Sequence, residues 1–227
     1  LEPSTTITLP LFLALVCLSL PSVFAMSVPT TKITNAIIFV HGLGDSGRGW
    51  SFLESSMPDF GKGRKVSYTF PDAPNQPVAC NGGMVMPSWF DIKAIPVDAR
   101  EPDDPAGIDA SVSAIHRVID DVIAHHDLEP KNVILGGFSQ GGAMSLMAGS
   151  LYPRPLGGVV CLSGWLLRKD LNVQAWSSTH SSVPLFIGHG GADQVVLTGL
   201  GSEAAERIGK GREGVEGAAP VTFKVYP

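Results

Sequence analysis

Short apolar runs alternate with longer amphipathic segments along most of the chain, and this alternation predicts the secondary structure. The short runs are rich in β-branched residues, as expected of strands that are covered on both faces. They are 36–40, 66–70 and the runs that begin at Asn132, Gly157, Val183 and Val221. The pattern therefore predicts six strands.

Two longer segments carry a helical pattern. Between the second and third runs, apolar residues recur at three- and four-residue steps over 108–128, which predicts an amphipathic helix. Residues 143–151 should form a helix that continues from the third strand. Strands and helices in alternation favour a largely parallel sheet with helices on both faces, and active sites in such sheets lie beyond the strand C-termini. The glycine-rich stretch 209–217 is interpreted as a surface loop.

The first 25 residues differ from the rest of the chain. Residues 9–20 are almost wholly apolar, and residues 23–25 resemble a signal-peptidase site. The stretch is shorter than the roughly 20 residues of a membrane span. No Lys or Arg precedes it, however, and Met26 could begin a leaderless protein. A secretory leader and a mispredicted start both stay open for 1–25, and 26–227 is expected to be a single domain.

Composition and charge exclude several classes of function. The chain is 44% hydrophobic and 16% charged, as in globular proteins, and its net charge of −5 with no basic run gives no reason to expect nucleic acid binding. The Cys and His spacings do not fit a zinc site, and three widely spaced cysteines do not form a disulfide framework. We therefore predict no metal site. The sequence contains no heptad pattern from which an oligomeric state could be predicted.

The strongest chemical signal is the segment GGFSQGGA, in which Gly137, Ser139 and Gly141 form the pattern G-x-S-x-G. It follows a predicted strand and precedes a predicted helix, which is the context of a nucleophile elbow. A sharp turn there would expose the Ser139 hydroxyl at a helix N-terminus, where N–H groups favour developing negative charge. A chance match in a glycine-rich loop is the alternative, and the flanking strand and helix argue against it.

A serine nucleophile needs a base to remove its proton, and the base needs an acid to orient it. In elbow enzymes the chain order is Ser, then Asp or Glu, then His. Asp193 follows the predicted strand LFIGHG and is the candidate acid. An ordinary turn residue is the alternative, but the elbow upstream favours catalysis.

The loop after the first strand allows two interpretations. Gly42, Gly44 and Gly47 fit G-x-G-x-x-G, the outline of a dinucleotide-binding turn, and Asp72 after the next strand could bind a ribose. The dinucleotide interpretation explains neither the serine elbow nor the acid downstream of it.

The second interpretation assigns the same loop, HGLGDSG, to an oxyanion hole. An elbow enzyme needs a second N–H donor from such a loop to bind the oxygen of the tetrahedral intermediate. The donors would be the N–H groups of Leu43 and Gln140. This interpretation is favoured because it accounts for the loop and the elbow together.

Several segments together resemble a known family. In order along the chain they are FVHGLGDSGRGW, PDAP, MPSWFDI, GGFSQGGAMSL, LSGW and GHGGADQVV. They resemble the acyl-protein thioesterase, lysophospholipase and carboxylesterase group of the α/β-hydrolases, from about residue 37 to the last residue. The resemblance implies an α/β-hydrolase fold and hydrolysis of long-chain acyl thioesters or esters by a Ser-His-Asp triad, without a cofactor.

The resemblance also implies roles for individual residues. Ser139 matches the family nucleophile and Asp193 the acid, and Leu43 and Gln140 match the oxyanion donors. Residues 81–89 match a loop beside the family's acyl channel. Four apolar residues of that loop are therefore expected to line the channel, with burial in the core as the alternative: Met84, Val85, Met86 and Trp89.

The histidines depart from the family pattern. All six precede Asp193, whereas the triad base should follow it, shortly after a strand such as Val221–Tyr226. The sequence stops at Pro227, so we expect a truncated domain that lacks the base and a closing C-terminal helix. Such a chain should be a poor hydrolase, because the loss of one triad member costs orders of magnitude in rate.

The histidines present are given other roles. His41 is expected to be structural, and three others are expected on the solvated side of the long helix: His116, His125 and His126. His189 resembles a family position that is not the base, although turnover near that of a complete relative would point to it as a surrogate.

Three functions stay open. The leading one is hydrolysis of acyl thioesters or esters, with acylated proteins or lipid esters such as lysophospholipids as substrates and transient contact with a membrane surface. A short-chain carboxylesterase with the same triad is the second, and a non-catalytic acyl-chain binder is the third. The resemblance implies a cytoplasmic protein, whereas a genuine leader would direct secretion.

Overall fold

A computed structural model describes residues 32–58, 63–98, 100 and 103–227. The leader-like segment 1–25 lies outside the described residues. The strands are β1 (Asn35–Val40), β2 (Val66–Thr69), β3 (Asn75–Val78), β4 (Met84–Pro87), β5 (Val133–Phe138), β6 (Gly158–Leu162), β7 (Leu185–Gly190) and β8 (Val221–Tyr226). Six of them form one sheet in the order β2-β1-β5-β6-β7-β8, and every pair in it is parallel.

The six predicted strands are these six, with ends that agree to within two residues. Buried apolar side chains such as Ile38, Leu135 and Ile187 fill them, which explains the apolar runs. Cys161 of β6 is also buried, and burial raises the pKa of its thiol to about 12, as expected of an inert structural cysteine. The prediction of a largely parallel sheet is confirmed.

The sequence pattern did not predict the hairpin formed by β3 and β4, which pair antiparallel apart from the main sheet. Its two strands have four residues each, and β3 contains Pro77, which is uncommon inside strands. Gly82 and Gly83 both have positive φ in the connection. So short a hairpin leaves no clear periodicity in the sequence.

Six helices accompany the sheet in the described residues: α1 (Gly47–Trp50), α2 (Phe52–Ser56), α3 (Pro105–His126), α4 (Gln140–Leu151), α5 (Lys169–Ser177) and α6 (Thr198–Gly211). The two predicted helices are α3 and α4. Each begins three residues earlier than expected, and α3 is capped by Asp104, whose carboxylate accepts a hydrogen bond from the Gly107 N–H at 3.1 Å. None of these helices is both long and apolar enough to cross a membrane.

The pattern missed α5 and α6. The first spans only nine residues, and the second contains four glycines, which have a low helix propensity. Because α6 extends to Gly211, the interpretation of 209–217 as a loop is wrong for its first three residues. The parallel strands place the ends of β1, β5, β6 and β7 at one edge of the sheet, where the segments with candidate chemistry begin.

Candidate active site

Ser139 occupies a strained turn between the end of β5 and the start of α4. Its dihedrals are φ 54° and ψ −119°, a combination that non-glycine residues rarely adopt. Its N–H donates to the Leu162 carbonyl at 2.8 Å, and its carbonyl accepts from the Ala143 N–H at 3.0 Å. Such strain costs on the order of 1–3 kcal/mol and persists only where the surrounding structure imposes it.

The glycines on either side of the turn allow the close packing that imposes it. A β-carbon on Gly137 would lie 2.2 Å from the Gly141 carbonyl oxygen, and one on Gly141 would lie 2.1 Å from the Val40 carbonyl oxygen. Gly137 also pairs with Val40 in the parallel register of β1 and β5. The elbow is therefore packed directly against the end of β1.

The loop that leaves β1 passes beside the serine. A β-carbon on Gly42 would lie 3.4 Å from the Ser139 Cβ, and the Gly44 N–H donates to the Pro87 carbonyl at 2.8 Å. In the described part of the chain, the N–H of Leu43 has no hydrogen-bond partner. The N–H of Gln140, at the first position of α4, has no partner within its helix. Two amides without a partner in the described residues therefore flank the Ser139 turn, and their role as oxyanion donors stays a prediction.

The contacts of Gly47 and Asp72 account for the features that suggested a dinucleotide. The Asp72 carboxylate accepts a hydrogen bond from the Gly47 N–H at 2.6 Å. A β-carbon on Gly47 would lie 2.0 Å from the Phe70 carbonyl oxygen. Asp72 therefore holds the loop, and the third glycine is required by packing.

Asp193 lies in the loop between β7 and α6, with its side chain 18% exposed. Its Oδ1 accepts hydrogen bonds from the N–H groups of Val195 and Val196, both at 2.9 Å. The Val97 N–H donates to the Val195 carbonyl at 2.8 Å and so ties this loop to the 92–98 segment. The carboxylate is at the same sheet edge as Ser139, and its role as the triad acid stays a prediction.

The Gln140 side chain is fully buried and binds the segment that contains Trp89. Its Oε1 accepts from the Trp89 N–H at 3.0 Å, and its Nε2 donates to the Phe90 carbonyl at 2.7 Å. The Trp89 indole N–H donates in turn to the His41 carbonyl at 2.9 Å. Trp89 is only 2% exposed and belongs to the core. Burial in the core is the alternative to the acyl-channel role that the resemblance implies for this residue.

A family model described as phospholipase/carboxylesterase matches residues 22–219. The chain belongs to the phospholipase/carboxylesterase family. It is 39% identical over 190 residues to acyl-protein thioesterase 1 of Yarrowia lipolytica, covering 83% of each chain. It is 35% identical over 191 residues to the carboxylesterase SOBER1 of Arabidopsis thaliana, covering 84% of this chain and 80% of that one.

Solved structures of phospholipase/carboxylesterase relatives have the same fold. The crystal structure of Arabidopsis thaliana SOBER1 matches with a TM-score of 0.75 at 34% identity, over 86% of this chain and 89% of that one. Zea mays acyl-protein thioesterase 2 matches with a TM-score of 0.68 at 30% identity, over 87% and 86%. The predicted α/β-hydrolase fold and the prediction of a hydrolytic enzyme are confirmed.

The apolar residues that line the cavity beside Ser139 are not among those that the sequence resemblance predicted for an acyl channel. The cavity has a volume of about 200 Å³, and Leu43 and Ser139 border it. The apolar lining comes from Ile92, Ile95, Val97, Phe138 and Val195. Ile92 ends the MPSWFDI motif, and Ile95 and Val97 follow it within five residues, but nothing in this short segment marks these residues as cavity lining until the fold brings them to Ser139.

The other residues predicted to line an acyl channel lie on β4. Met84 and Val85 are 64% and 62% exposed. The sulfur of Met86 would lie 3.8 Å from a β-carbon on Gly44, which places it next to the oxyanion loop. None of the three borders the cavity at Ser139, and their role stays a prediction.

Among the residues that the structure describes, no histidine is bonded to the nucleophile of this family member. All six histidines lie in described residues, and there none is hydrogen-bonded to Ser139. The His189 Nε2 is 3.8 Å from the Asp193 Oδ2, but it donates to the Val196 carbonyl at 2.7 Å. Its Nδ1 is buried, and a β-carbon on Gly201 would come within 2.4 Å of it. His189 is therefore engaged in holding the Asp193 loop.

The expectation that the helix histidines face solvent is wrong for His116 and His126. The Nε2 of His116 donates to the Ala148 carbonyl of α4 at 2.8 Å, and the Nε2 of His126 bonds to the Ser67 hydroxyl at 2.9 Å. Both connect α3 to its neighbours, whereas His125 is exposed as expected. Across the described residues, no group of three His, Cys, Asp or Glu side chains could hold a metal ion.

Proposed function

We propose that the protein hydrolyses carboxylic esters and thioesters with apolar acyl groups through an acyl-serine intermediate on Ser139. The observation that carries the proposal is the strained turn at Ser139, a half-buried residue flanked by the amides of Leu43 and Gln140, which have no partner in the described residues. The carboxylate of Asp193 at the same sheet edge supports it. Family membership supports the class of reaction, since the relatives are named as thioesterases and carboxylesterases.

The reaction has two stages. The Ser139 Oγ attacks the carbonyl carbon while its proton passes to a base, and the carbonyl oxygen becomes an oxyanion that accepts hydrogen bonds from Leu43 and Gln140. Collapse of this intermediate breaks the bond to the thiol or alcohol, which leaves with the proton. Water then attacks the acyl-serine in the same way and releases the carboxylic acid. Each oxyanion donor of this kind contributes about 10²–10³ in kcat.

The base is the part of the site that the histidines described above do not supply. Asp193 would orient it, and the end of β8 lies beside the Asp193 loop, because the Tyr226 carbonyl accepts a hydrogen bond from the Gly191 N–H at 2.7 Å. A histidine shortly after β8 would thus emerge next to Asp193. That location for the base stays a prediction.

The substrates that fit the proposal are acylated proteins and lipid esters. The apolar lining of the Ser139 cavity supports an acyl group there, because apolar pockets with a few polar groups bind such ligands. Substrates with long acyl chains are anchored in lipid, so the proposal includes transient contact with a membrane surface. It also includes a cytoplasmic location, with secretion as the alternative.

The size of the cavity favours a second candidate, a carboxylesterase for short acyl chains. At about 200 Å³ the cavity is smaller than the roughly 300–1,000 Å³ of typical ligand pockets. Hydrolysis rates of p-nitrophenyl esters with 2 to 16 carbons distinguish the candidates. A kcat/KM that rises with chain length supports the long-acyl substrate, and a fall beyond four carbons supports the short one.

A fluorophosphonate probe tests the proposal itself. The probe should label the protein at Ser139, as located by peptide mass spectrometry, and Ser139→Ala should abolish the labelling. Ser163→Ala is the matched control, because Ser163 also has a positive φ, at the end of the neighbouring strand β6, and should leave labelling intact. Labelling that persists in Ser139→Ala would contradict the proposal. Fatty-acid binding without labelling or turnover would favour the non-catalytic binder.

A further inference from the structure

We propose that the side chains of Gln140 and Trp89 are positioning groups that align the two oxyanion donors with each other. The proposal rests on the proposed function, because it concerns the N–H groups of Leu43 and Gln140 that would bind the oxyanion. Its basis is a continuous chain of hydrogen bonds that begins at one donor residue and ends at the peptide of the other.

The chain of hydrogen bonds begins at Gln140, which has two separate connections to the site. Its backbone N–H is one donor, and its buried side-chain amide clamps the neighbouring segment by bonds to the Trp89 N–H and the Phe90 carbonyl. The same amide donates to the Ser88 hydroxyl at 3.0 Å. A fully buried amide with these partners is rigid, since breaking any of the bonds leaves a buried polar group unsatisfied.

The chain continues through the Trp89 indole to the oxyanion loop. The indole N–H bonds to the His41 carbonyl, and the ring lies 5.3 Å from the His41 imidazole, centroid to centroid. The Ser111 hydroxyl of α3 donates to the Trp89 carbonyl and holds the residue from the other side. Trp89 therefore connects the segment that binds Gln140 to His41, the first residue of the oxyanion loop.

His41 completes the chain by fixing the orientation of one peptide group. Its Nε2 accepts from the Ala73 N–H at 3.0 Å, so the proton of a neutral ring must be on Nδ1. The Nδ1–H then donates to the Gly42 carbonyl at 2.7 Å. That carbonyl belongs to the same planar peptide as the Leu43 N–H, and the two point in opposite directions. Holding the carbonyl toward His41 turns the N–H of Leu43 away from it.

This arrangement explains why the motifs MPSWFDI and GGFSQGGA occur in one site. The elbow supplies Gln140, and the other motif supplies its partners Ser88, Trp89 and Phe90. None of these side chains has to touch the substrate. Their effect should appear in the stabilisation of the tetrahedral intermediate, because a donor displaced by about 1 Å can cost as much as a hundredfold in rate.

Trp89→Phe is the main test, because it removes the indole N–H and keeps an aromatic ring. We expect the rate of fluorophosphonate labelling, and kcat for p-nitrophenyl butyrate, to fall about tenfold to a hundredfold, with KM within about threefold. The matched control is Trp176→Phe. The Trp176 indole is also fully buried, but its N–H has no partner in the described structure, so both rates should stay within about twofold.

Gln140→Met breaks the chain of hydrogen bonds at its other end, because it removes both the acceptor for the Trp89 N–H and the donor to the Phe90 carbonyl. If the chain of hydrogen bonds acts as a unit, the double variant Trp89→Phe/Gln140→Met should have a labelling rate little lower than that of the slower single variant. Circular dichroism and the melting temperature identify a variant that fails to fold, and the other single variant then carries the test.

Three outcomes separate the positioning proposal from the proposed function. Labelling of Trp89→Phe at the rate of Trp176→Phe, or losses that multiply in the double variant, would overturn the positioning role and leave the hydrolase intact. An affinity loss for a trifluoromethyl ketone, which forms an oxyanion on the serine, without a change in KM would support it. A parent protein that the probe does not label would contradict the hydrolase and the positioning role together.

Discussion

Ser139 and Asp193 both follow strands of one parallel sheet, but the structure holds them in different ways. The partners of the Ser139 turn are far apart in the sequence: Leu162 bonds its N–H, and the adjacent Gln140 side chain bonds residues about 50 positions upstream. The side-chain partners of Asp193 are the N–H groups two and three residues after it. The nucleophile is fixed by the whole domain, whereas the acid is fixed mainly by its own loop.

The difference has a physical reason. A serine at φ 54° is strained and must be constrained by packing and long-range hydrogen bonds, so its geometry is complete in the described residues. A carboxylate in a loop needs little constraint until it has a base to orient. The site therefore has two parts that differ. The nucleophile and its two candidate donors are all held by described residues, whereas Asp193 has no catalytic partner among the described histidines.

The largest effect on labelling and stability should come from a substitution that adds a methyl group at the Ser139 turn. Gly141→Ala would force a β-carbon to within 2.1 Å of the Val40 carbonyl, so the elbow and the end of β1 must separate. We expect a loss of about 1–3 kcal/mol in the free energy of unfolding. Labelling of Ser139 should fall at least about a hundredfold. Urea denaturation and fluorophosphonate kinetics measure the two effects.

Gly209→Ala is the control for that variant. Gly209 is also a helical glycine, but a β-carbon there meets nothing within 4 Å. The protein should be unchanged or more stable by about 0.5–1 kcal/mol, with normal labelling. Equal effects of the two substitutions would mean that the elbow is not constrained as described.

Imidazole in solution should have an intermediate effect on a protein expressed to Pro227, because none of the described histidines is hydrogen-bonded to Ser139 and imidazole can act as the base. A cavity of about 430 Å³ lies between Phe138, which precedes the nucleophile, and Gly190 and Tyr226 near the Asp193 loop. General bases contribute about 10²–10⁴ in rate, and we expect free imidazole to recover part of this as a saturable gain of about tenfold. Turnover of an activated ester against imidazole concentration measures it, with Ser139→Ala as the control.

Rapid turnover of the activated ester without imidazole, and no gain when imidazole is added, would contradict this prediction. In that case a base would have to be present already, and His189 would be the first candidate because of its position beside Asp193.

Asp193→Asn should have the smallest effect. Asn keeps an oxygen to accept from the Val195 and Val196 N–H groups, so stability should change by less than about 1 kcal/mol. Labelling of Ser139 should stay within about threefold, whereas the gain from imidazole should largely disappear, because the acid would no longer orient the added base. A loss of labelling of a hundredfold or more would show that Asp193 already works with a base.

The same contrast explains what could be predicted from the sequence. Strands buried on both faces leave apolar runs, and the elbow leaves glycines at fixed spacing around Ser139, so both can be found locally. Helix α4 is buried along almost its whole length and shows no polar face, so the sequence pattern predicts only residues 143–151 of it. The glycines of α6 concealed a helix that packing stabilises.

Residues whose roles depend on distant partners could not be assigned locally. Trp89 belongs to an apolar stretch, and nothing in that stretch indicates that its indole bonds to the His41 carbonyl. Ile95 and Val195 line the Ser139 cavity from segments 100 positions apart. Each has a sequence environment typical of an ordinary loop, and only the fold brings them together.

A crystal structure of the protein with a fluorophosphonate bound would test the central claim most directly, namely that Ser139 is a nucleophile with two amide donors aligned on its oxyanion. We predict a covalent bond from the Ser139 Oγ to phosphorus, with the phosphoryl oxygen about 2.7–3.1 Å from the backbone nitrogens of Leu43 and Gln140. A phosphoryl oxygen that faces away from both amides, or an adduct on another residue, would contradict the account.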